Sequence, residues 1–476
     1  MTALCLAKND LHDVQVGDRR ILFHVPTTGL FELDGTGAEI VDLFRERGSV
    51  RESDVRDRFD GRRDPAEVVA ALQELMGLGL VGDGRPAHPP APVTIREFPL
   101  STVVLNVNTG CNLACSYCYK EDLTTPADGG RMDAATAIRA IDLLFAEAAG
   151  RERVNVVFFG GEPLTNMPVI REAVAYAEAR ARALGKRVDF ALTTNALLLT
   201  EELIDWLDSH RFGITVSIDG PRELHDRNRR TVGGKGSYDA VAAKVRLLLG
   251  RYRSKPVGAR VTLTRGITDV VGIHRHLVEE LGFFEAGFAP VTAGPASGTA
   301  LTGEELRTVF AGMEELGRRY LDAAVEGRNI GFGNLNQLVT ELSEGTAKTL
   351  PCGAGLGMLA VDRAGDLHLC HRFTGTEVPT FGNVTAGWDK PRQGAFLEEA
   401  ANRADPQCQS CWIRRLCAGG CYHEAYTAYS DTLHPNTHYC DLMRRWVEFG
   451  VHVYAEIARR NPAFIDTHIA PRRARG

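Results

Sequence analysis

Apolar and polar positions alternate in short runs at the start of the chain, and this pattern predicts a small unit of strands followed by helices. Residues 12–33 read as short strands that are interrupted by two turns, each containing glycine. Three short segments with apolar residues at helical spacing follow, at 34–48, 51–59 and 65–80. A unit of this size is barely large enough to fold alone.

From about residue 99 the pattern becomes a regular alternation of strands and helices. Because six strands alternate with helical segments, we expect a parallel sheet with right-handed crossovers, closed as an open or partial barrel. Functional groups in such sheets lie at the carboxyl ends of the strands. The six predicted strands have the sequences TVVLNV, VNVVFF, VDFALT, ITVSID, ARVTLT and AGFAPV.

The remaining pattern divides the rest of the chain. A Pro- and Gly-rich stretch, GDGRPAHPPAP, marks the first boundary. Residues after 300 are mostly helical, a loop-rich segment follows, and a long helical pattern begins at Cys440. The predicted divisions are a strand-and-helix domain at 1–85, a linker at 86–98, a partial barrel at 99–300, a helical bridge at 301–350, a cysteine-rich domain at 351–445, and a C-terminal helix and tail at 446–476.

Composition and charge exclude several classes of function. Lys and Arg number 55 against 61 Asp and Glu, so the net charge of −6 argues against a nucleic-acid binder. No apolar run approaches the length of about 18 residues that a membrane span needs, and the N-terminus does not read as a signal peptide. We therefore expect a cytoplasmic protein, in which clustered cysteines are more often metal ligands than disulfides.

The eleven cysteines fall into groups, with only Cys5 standing alone as a buried or surface thiol. The first group is CxxxCxxC, directly after the first strand of the predicted barrel. Thiolate sulfur is the ligand of iron–sulfur clusters, and three thiolates leave one iron of a four-iron cluster open. A zinc knuckle is the alternative. The three groups are Cys111, Cys115 and Cys118; then Cys352 and Cys370; then Cys408, Cys411, Cys417, Cys421 and Cys440.

The CxxxCxxC spacing and the polar residues at the strand ends resemble the radical SAM superfamily. The resemblance implies that S-adenosylmethionine (SAM) chelates the open iron and is cleaved to a 5′-deoxyadenosyl radical. It also implies that the GGEP stretch holds the methionine amino group, that a tyrosine packs beside adenine, and that later strand ends bind ribose and carboxylate. The residues that match these positions are Tyr117, Gly160, Gly161, Glu162, Asn195, Ser217 and Asp219.

The distal cysteines resemble the SPASM extension of the same superfamily, which carries two auxiliary clusters. The resemblance implies three 4Fe–4S clusters in all, with a structural zinc ribbon as the alternative. The first auxiliary cluster would take Cys352, Cys370 and Cys421, and the second Cys408, Cys411, Cys417 and Cys440. No cysteine is evident as a fourth ligand of the first, for which Asp366, His368 and His371 are candidates.

The N-terminal domain resembles the winged-helix-like recognition module of ribosomal-peptide maturation enzymes, which binds a leader peptide as an added strand. Together the parts imply an α/β protein: a partial (β/α)6 radical SAM barrel between a small α+β winged-helix-like domain and a cysteine-rich SPASM domain. The whole is most similar to the maturation proteins of quinohemoprotein amine dehydrogenase and to related thioether-forming peptide maturases.

That resemblance implies a peptide-modifying enzyme. It would bind a peptide or small-protein substrate through its N-terminal domain and join cysteine sulfur to side-chain methylenes of Asp or Glu. A reducing partner such as flavodoxin or ferredoxin would supply electrons. The alternatives are carbon–carbon cross-linking, formylglycine formation as in sulfatase maturases, and a cluster-carrying electron-transfer or scaffold protein. Sulfatase maturases have an aspartate after the cysteine that corresponds to Cys370, where this chain has His371. The sequence assigns no catalytic acid or base.

Overall fold

The computed structural model of the protein describes residues 3–83, 92–119, 129–148, 150–294 and 297–469. Residues 86–91 of the predicted linker therefore lie outside the described residues, as does the end of the predicted tail. No helix in the described part of the chain is long and apolar enough to cross a membrane.

The N-terminal region has the predicted strands and three helices, and it adds a second small sheet. Strands β2–β4 form an antiparallel meander, and β1 pairs with β5 and β6 in the other sheet. Asp34 and Asp64 cap the first and third helices by accepting hydrogen bonds from backbone N–H groups. The elements are β1 Leu4–Leu6, β2 Leu11–Val16, β3 Arg19–His24, β4 Gly29–Leu33, α1 Gly35–Arg47, β5 Ser49–Val50, α2 Glu52–Phe59, α3 Pro65–Gly77 and β6 Val81–Gly82.

The meander is buried on both faces. One face, including Val14 and Phe23, belongs to the core of the main body, whereas Leu22 faces the core under α1–α3. His12 stacks on Trp412 with ring centroids 3.9 Å apart. The N-terminal region is thus packed firmly against the body, which the sequence did not indicate.

The predicted parallel sheet is confirmed, with all six strands side by side in chain order. The full sheet has eight strands in the order β12-β11-β10-β9-β8-β7-β13-β14. The first part consists of β7 Thr102–Asn106, α4 Ala134–Glu147, β8 Arg153–Phe159, α5 Met167–Ala183, β9 Arg187–Thr194, α6 Glu201–Ser209, β10 Gly213–Ser217, α7 Arg222–Asn228, α8 Tyr238–Arg251, β11 Val257–Leu263, α9 Val270–His274 and β12 Glu285–Pro290.

Side chains along these strands alternate between two environments. In β10, Ile214 and Val216 are buried in the core, whereas Thr215 and Ser217 line an open cavity. The period of two follows from the pleat of a strand. One face of the sheet therefore makes the core beneath the helices, and the other face makes the wall of a site.

The C-terminal part begins with the predicted helical bridge and then returns to the sheet. Strand β13 pairs with β7 in parallel, and β14 pairs with β13 in antiparallel orientation. The predicted long helix is present, and a short helix follows it. The elements are α10 Gly303–Val325, α11 Gly333–Ser343, β13 Met358–Val361, β14 Leu367–His368, β15 Gly382–Asn383, β16 Gly387–Trp388, α12 Lys390–Ala401, α13 Pro406–Gln409, α14 Arg414–Cys417, α15 Tyr422–Tyr429, α16 Cys440–Arg460 and α17 Pro462–His468.

Candidate functional site: a thiol-lined cavity at the carboxyl ends of the strands

A cavity of about 400 Å³ opens at the carboxyl ends of the central strands. All three thiols of the first cysteine group line it. Six of the seven predicted SAM-binding residues line it as well, and Asp219 does not. The lining also includes Tyr119, Phe159, Arg229, Arg260, His371 and Arg372. The cavity therefore brings together the barrel and the segment that follows Cys370.

The cysteine loop begins where β7 ends and is held by backbone contacts on both sides. Asn108 donates from Nδ2 to the carbonyl oxygens of Gly110, at 2.8 Å, and Glu162, at 3.1 Å. A Cβ atom added to Gly160 or Gly161 would overlap the backbone of this loop. The two glycines thus allow the GGEP turn to pack directly against the backbone of the cysteine loop. The same lack of side chains would also let a ligand approach the turn closely.

Glu162 is buried behind the cavity wall. Its carboxylate accepts hydrogen bonds of 2.7 Å from both the Asn195 backbone N–H and the Thr194 hydroxyl. Burial raises the pKa of Glu162 to about 7 despite these bonds. It is the one carboxylate among the cavity's described lining residues, so it suits a ligand that carries an ammonium group.

Asp219 lies behind Tyr117 and orients it. The Tyr117 hydroxyl donates to Asp219 Oδ2 at 2.6 Å, and Arg229 Nε donates to the same oxygen at 2.8 Å. Burial lowers the pKa of Arg229, but the Asp219 carboxylate together with Tyr117 and Cys115 raises it overall. Asp219 is therefore a buried anchor for Tyr117 and Arg229. Arg229 follows α7 and carries no sequence pattern that marks it, because its role depends on this pairing.

Asn195 directly follows β9, Ser217 ends β10, and both line the cavity. Asn195 Nδ2 donates to Asn112 Oδ1 at 2.7 Å and lies 3.7 Å from Cys111 Sγ. Ser217 is the last residue of β10 and lies opposite Arg260 of β11. These polar groups follow from the strand alternation that the sequence shows.

Among the distal thiols, Cys352 and Cys421 lie close enough to Cys370 to affect its pKa. Burial raises the pKa of Cys370 to about 11, and the neighbouring thiolates of Cys421 and Cys352 raise it further. Of the candidate fourth ligands, His368 instead pairs with Asp362 at 3.1 Å, and Asp366 accepts a hydrogen bond from Asn383 at 2.8 Å. The ring of His371 lies against Phe159, and its Nδ1 is 3.8 Å from Cys370 Sγ.

The second distal group contains four thiols around the start of α16. Burial raises the pKa of Cys408 to about 12, with smaller contributions from Asp405 and from the thiolates of Cys417 and Cys440. Arg444 Nη1 lies 3.8 Å from Cys411 Sγ, which gives this group a nearby cation. All eleven cysteines are described, and none forms a disulfide. Cys5, half-buried in β1, lies apart from these groups.

The grouping of the thiols fits clusters better than single ions. Within the described ranges, no three His, Cys, Asp or Glu side chains converge closely enough to hold one metal ion. A zinc site needs four ligands at about 2.0–2.3 Å from one point. An iron–sulfur cluster instead takes a separate thiolate on each iron, so its ligands surround a larger volume. The thiol-only donor sets suit the second arrangement.

A second depression, of about 440 Å³, lies at the amino ends of β8 and β9. Some of its charged residues pair with one another. Arg153 contacts Asp189 at 2.6 Å, and Lys255 contacts the same carboxylate at 3.1 Å.

The part of the chain that builds most of the thiol-lined cavity matches a known protein family. Residues 105–271 match the model of the Radical SAM superfamily. A serine-type anaerobic sulfatase-maturating enzyme of Klebsiella aerogenes is 26% identical over 352 residues, which are 70% of this chain and 81% of that protein. Another, of Bacteroides thetaiotaomicron, is 32% identical over 154 residues, which are 32% of this chain and 36% of that protein.

Solved structures show the same fold. The structure of native anSMEcpe with bound AdoMet aligns with a TM-score of 0.63 at 19% identity, over 78% of this chain and 99% of that one. Streptococcus suis SuiB bound to the precursor peptide SuiA aligns with a TM-score of 0.51 at 16% identity, over 91% of this chain and 99% of that one.

These matches confirm the predicted fold class and the predicted cofactor class, SAM with iron–sulfur clusters. The number of clusters, their ligands and the domain divisions stay predictions. The segment that carries the cysteine loop, the GGEP turn and the strand-end residues, residues 105–271, has the radical SAM fold.

Proposed function

We propose that this chain is a radical SAM enzyme that modifies a ribosomally made peptide or small protein subunit by forming thioether cross-links within it. The observation that carries the proposal is the shared cavity. It is lined at one end by Cys111, Cys115 and Cys118, and elsewhere by His371 and Arg372 beside the first distal thiol group. A substrate segment in this cavity would lie between a radical source and a second group of thiolates.

Residues of the first site have separable roles in this proposal. The three thiols would hold one cluster, and Gly160, Gly161, Glu162, Asn195 and Ser217 would form the wall that receives SAM, with Tyr117 beside its adenine. The bound cofactors supply a 5′-deoxyadenosyl radical. Glu162 would accept the methionine ammonium, and Asp219 with Arg229 would fix the tyrosine ring.

The reaction balances if one further group accepts an electron. A carbon–sulfur bond forms while a hydrogen atom leaves the substrate methylene for the deoxyadenosyl group and a proton and an electron leave the substrate thiol. Cys352, Cys370 and Cys421 would hold the cluster that accepts this electron. Cys408, Cys411, Cys417 and Cys440 would hold the third cluster, which passes the electron toward a flavodoxin- or ferredoxin-like partner.

The N-terminal region would hold the leader of the substrate. Strand β4 is an edge of the meander, since it pairs only with β3 among the described strands. An extended peptide can add to such an edge through main-chain hydrogen bonds. The proposal includes the prediction that the N-terminal region is a peptide-recognition module. It also includes the likeness to quinohemoprotein amine dehydrogenase maturation proteins and a cytoplasmic location.

A second candidate function is formylglycine formation. The identity to the Klebsiella aerogenes sulfatase-maturating enzyme across 70% of this chain favours it. His371, in place of the aspartate of those maturases, counts against it. Carbon–carbon cross-linking uses the same cavity. A mere cluster carrier would leave the buried Glu162 and the SAM-sized wall without a purpose.

One experiment separates these candidates. The reconstituted enzyme is incubated anaerobically with SAM, a reductant and Cys-containing candidate peptides, including any small peptide that is encoded beside its gene. A thioether product retains sulfur, loses hydrogen and no longer reacts with a thiol-alkylating reagent. Formylglycine is an aldehyde that reacts with a hydrazine, and a carbon–carbon product keeps its alkylatable thiol. Absence of 5′-deoxyadenosine in every reaction would refute the enzyme proposal.

A further inference from the structure

Two arginines that the fold and the cysteine groups do not explain lie in the wall of the cavity. Arg260 is in β11, between Ser217 of β10 and Gly287 of β12 in the strand register. A Cβ atom on Gly287 would stand 3.4 Å from Arg260 Nη1, so the missing side chain leaves room for the guanidinium. Arg372 enters the cavity from the segment after Cys370.

The charges of these two arginines are not compensated within the described part of the chain. Arg372 Nη1 donates to the Thr292 hydroxyl at 2.7 Å, and its guanidinium carbon lies 5.0 Å from the centre of the Tyr119 ring. Neither arginine has a carboxylate within ion-pair distance among the described residues, whereas Arg229 in the same cavity is paired with Asp219. Burial, and then the neighbouring Arg372, lower the pKa of Arg260. Two neighbouring cations that line one cavity and lack a carboxylate partner favour an anion between them.

The pair lies on the distal side of the cavity. Tyr119, which packs under Arg372, directly follows Cys118 in the chain, and Arg372 lies two residues after Cys370. Arg229, in contrast, lies beside Cys115 and Tyr117. The unpaired arginines therefore lie between the first thiol group and the first distal group, where the proposed function puts the substrate.

We propose that Arg260 and Arg372 together bind a carboxylate of the substrate peptide, an Asp or Glu side chain at or beside the modified position. This proposal rests on the proposed function and names the residues that select its substrate. Guanidinium groups bind carboxylates through paired, charge-assisted hydrogen bonds, which amides do not match. SAM also carries a carboxylate, so the test must distinguish the two sources.

The test uses the full-length holoenzyme with SAM and a pooled library of short Cys-containing peptides in which one position is either Glu or Gln. Peptides retained by the enzyme are counted by mass spectrometry. We expect the wild type to retain Glu peptides over Gln peptides by about tenfold or more, as expected for a charge-assisted pair. Equal retention of both by the wild type would overturn the proposal.

Variants assign the effect to the two residues. Arg260→Gln and Arg372→Gln should each reduce the Glu preference toward one, and Arg260→Lys should retain part of it. Arg265→Gln is the matched control, because Arg265 is exposed after β11 and does not line the cavity. Arg372 lies outside the β-strands, so Arg372→Gln decides the question if Arg260→Gln does not fold.

SAM affinity, measured by equilibrium dialysis, separates the two carboxylates. Unchanged SAM affinity with a lost Glu preference supports the proposal. A tenfold or larger loss of SAM affinity with the Glu preference intact would overturn it, because the pair would then bind the cofactor. Failure of the wild type to cleave SAM would refute the proposed function instead, whatever the peptides show.

Discussion

The loop that carries the first three cysteines and the region that carries the distal seven differ in how the fold brings their thiols together. Cys111, Cys115 and Cys118 lie within eight residues, on one loop at the end of β7. The distal thiols come from residues 352–440, a stretch of short strands, turns and helices. The first group is local and is placed by the sheet, whereas the distal groups depend on long-range packing. The first should therefore be the more robust, and the distal groups the more easily lost.

The largest expected effect that tests this comparison comes from removing distal cysteines. Formation of the peptide product should be lost while SAM cleavage persists. Replacing Cys352, Cys370 and Cys421 together with Ala should reduce peptide modification by at least about a hundredfold, because the proposed electron acceptor is lost. Uncoupled 5′-deoxyadenosine release should persist, since the first loop is built independently. The check is iron content, 5′-deoxyadenosine and peptide mass in one reaction. Equal loss of both activities would contradict the separation of the two regions.

Glu162 gives the next effect, on SAM binding and its pH dependence. The pKa of Glu162, raised by burial to about 7, means that its carboxylate forms as pH rises through 7. SAM affinity should therefore increase between pH 6 and pH 8, and Glu162→Gln should weaken binding about tenfold at pH 8 and remove this dependence. Isothermal titration with SAM at both pH values tests this. A pH-independent affinity in the wild type would count against the role of Glu162.

Ionisation of Glu162 as pH rises should strengthen SAM binding but destabilise the SAM-free protein. Since the pKa of Glu162 is higher in the folded chain than in the unfolded one, its contribution is fully present below about pH 4.5 and is lost as pH rises through 7. The wild type should thus lose up to about 3 kcal/mol of stability across this range from this residue. Chemical denaturation of wild type and Glu162→Gln at pH 5 and pH 8 measures the difference.

Trp412 links the N-terminal meander to the distal region, and its removal should have a moderate effect. Its ring stacks on His12 at 3.9 Å and meets Phe23 edge-on at 5.4 Å. Trp412→Ala should lower the free energy of unfolding by about 1–3 kcal/mol while leaving SAM cleavage intact, because Trp412 does not line the cavity. Deleting residues 1–90 would be a poorer test, because it would uncover the core that contains Val14 and Phe23.

The smallest effect concerns the Tyr117 hydroxyl. Tyr117→Phe removes the hydrogen bond to Asp219, but Arg229 still pairs with that carboxylate. One such bond contributes about 1 kcal/mol, so the KM for SAM should rise by less than about tenfold. Steady-state kinetics in SAM measures it, with Asp219→Asn as the comparison that disturbs both partners and should cost more.

Structural features that depend on neighbouring residues could be predicted from the sequence, whereas features that depend on distant residues could not. The period-two pattern of β7–β12 is local, so the six strands, the cysteine loop at the end of β7, and Asn195 and Ser217 at their strand ends could all be placed. Strand β13 joins β7 across some 250 residues of chain, and its four residues carry no signal of that partner.

The arginines of the cavity could not be placed from the sequence. Arg229 and Arg260 are two among 55 basic residues, and only the pairing with Asp219 in one case, and the strand register in the other, gives them a role. The resemblance to the radical SAM superfamily implies a ligand contact for Asp219. In the structure Asp219 is buried, and its carboxylate accepts hydrogen bonds from Tyr117, from Arg229 and from the Thr262 backbone N–H.

The most direct measurement of the central claim is release of 5′-deoxyadenosine from SAM under anaerobic, reducing conditions, by the wild type and by the variant with Cys111, Cys115 and Cys118 all replaced with Ala. The account predicts release by the wild type, and background release together with the loss of about four irons per chain in the variant, because one four-iron cluster depends on these thiols. SAM cleavage that survives in the variant, or iron content that does not change, would contradict it.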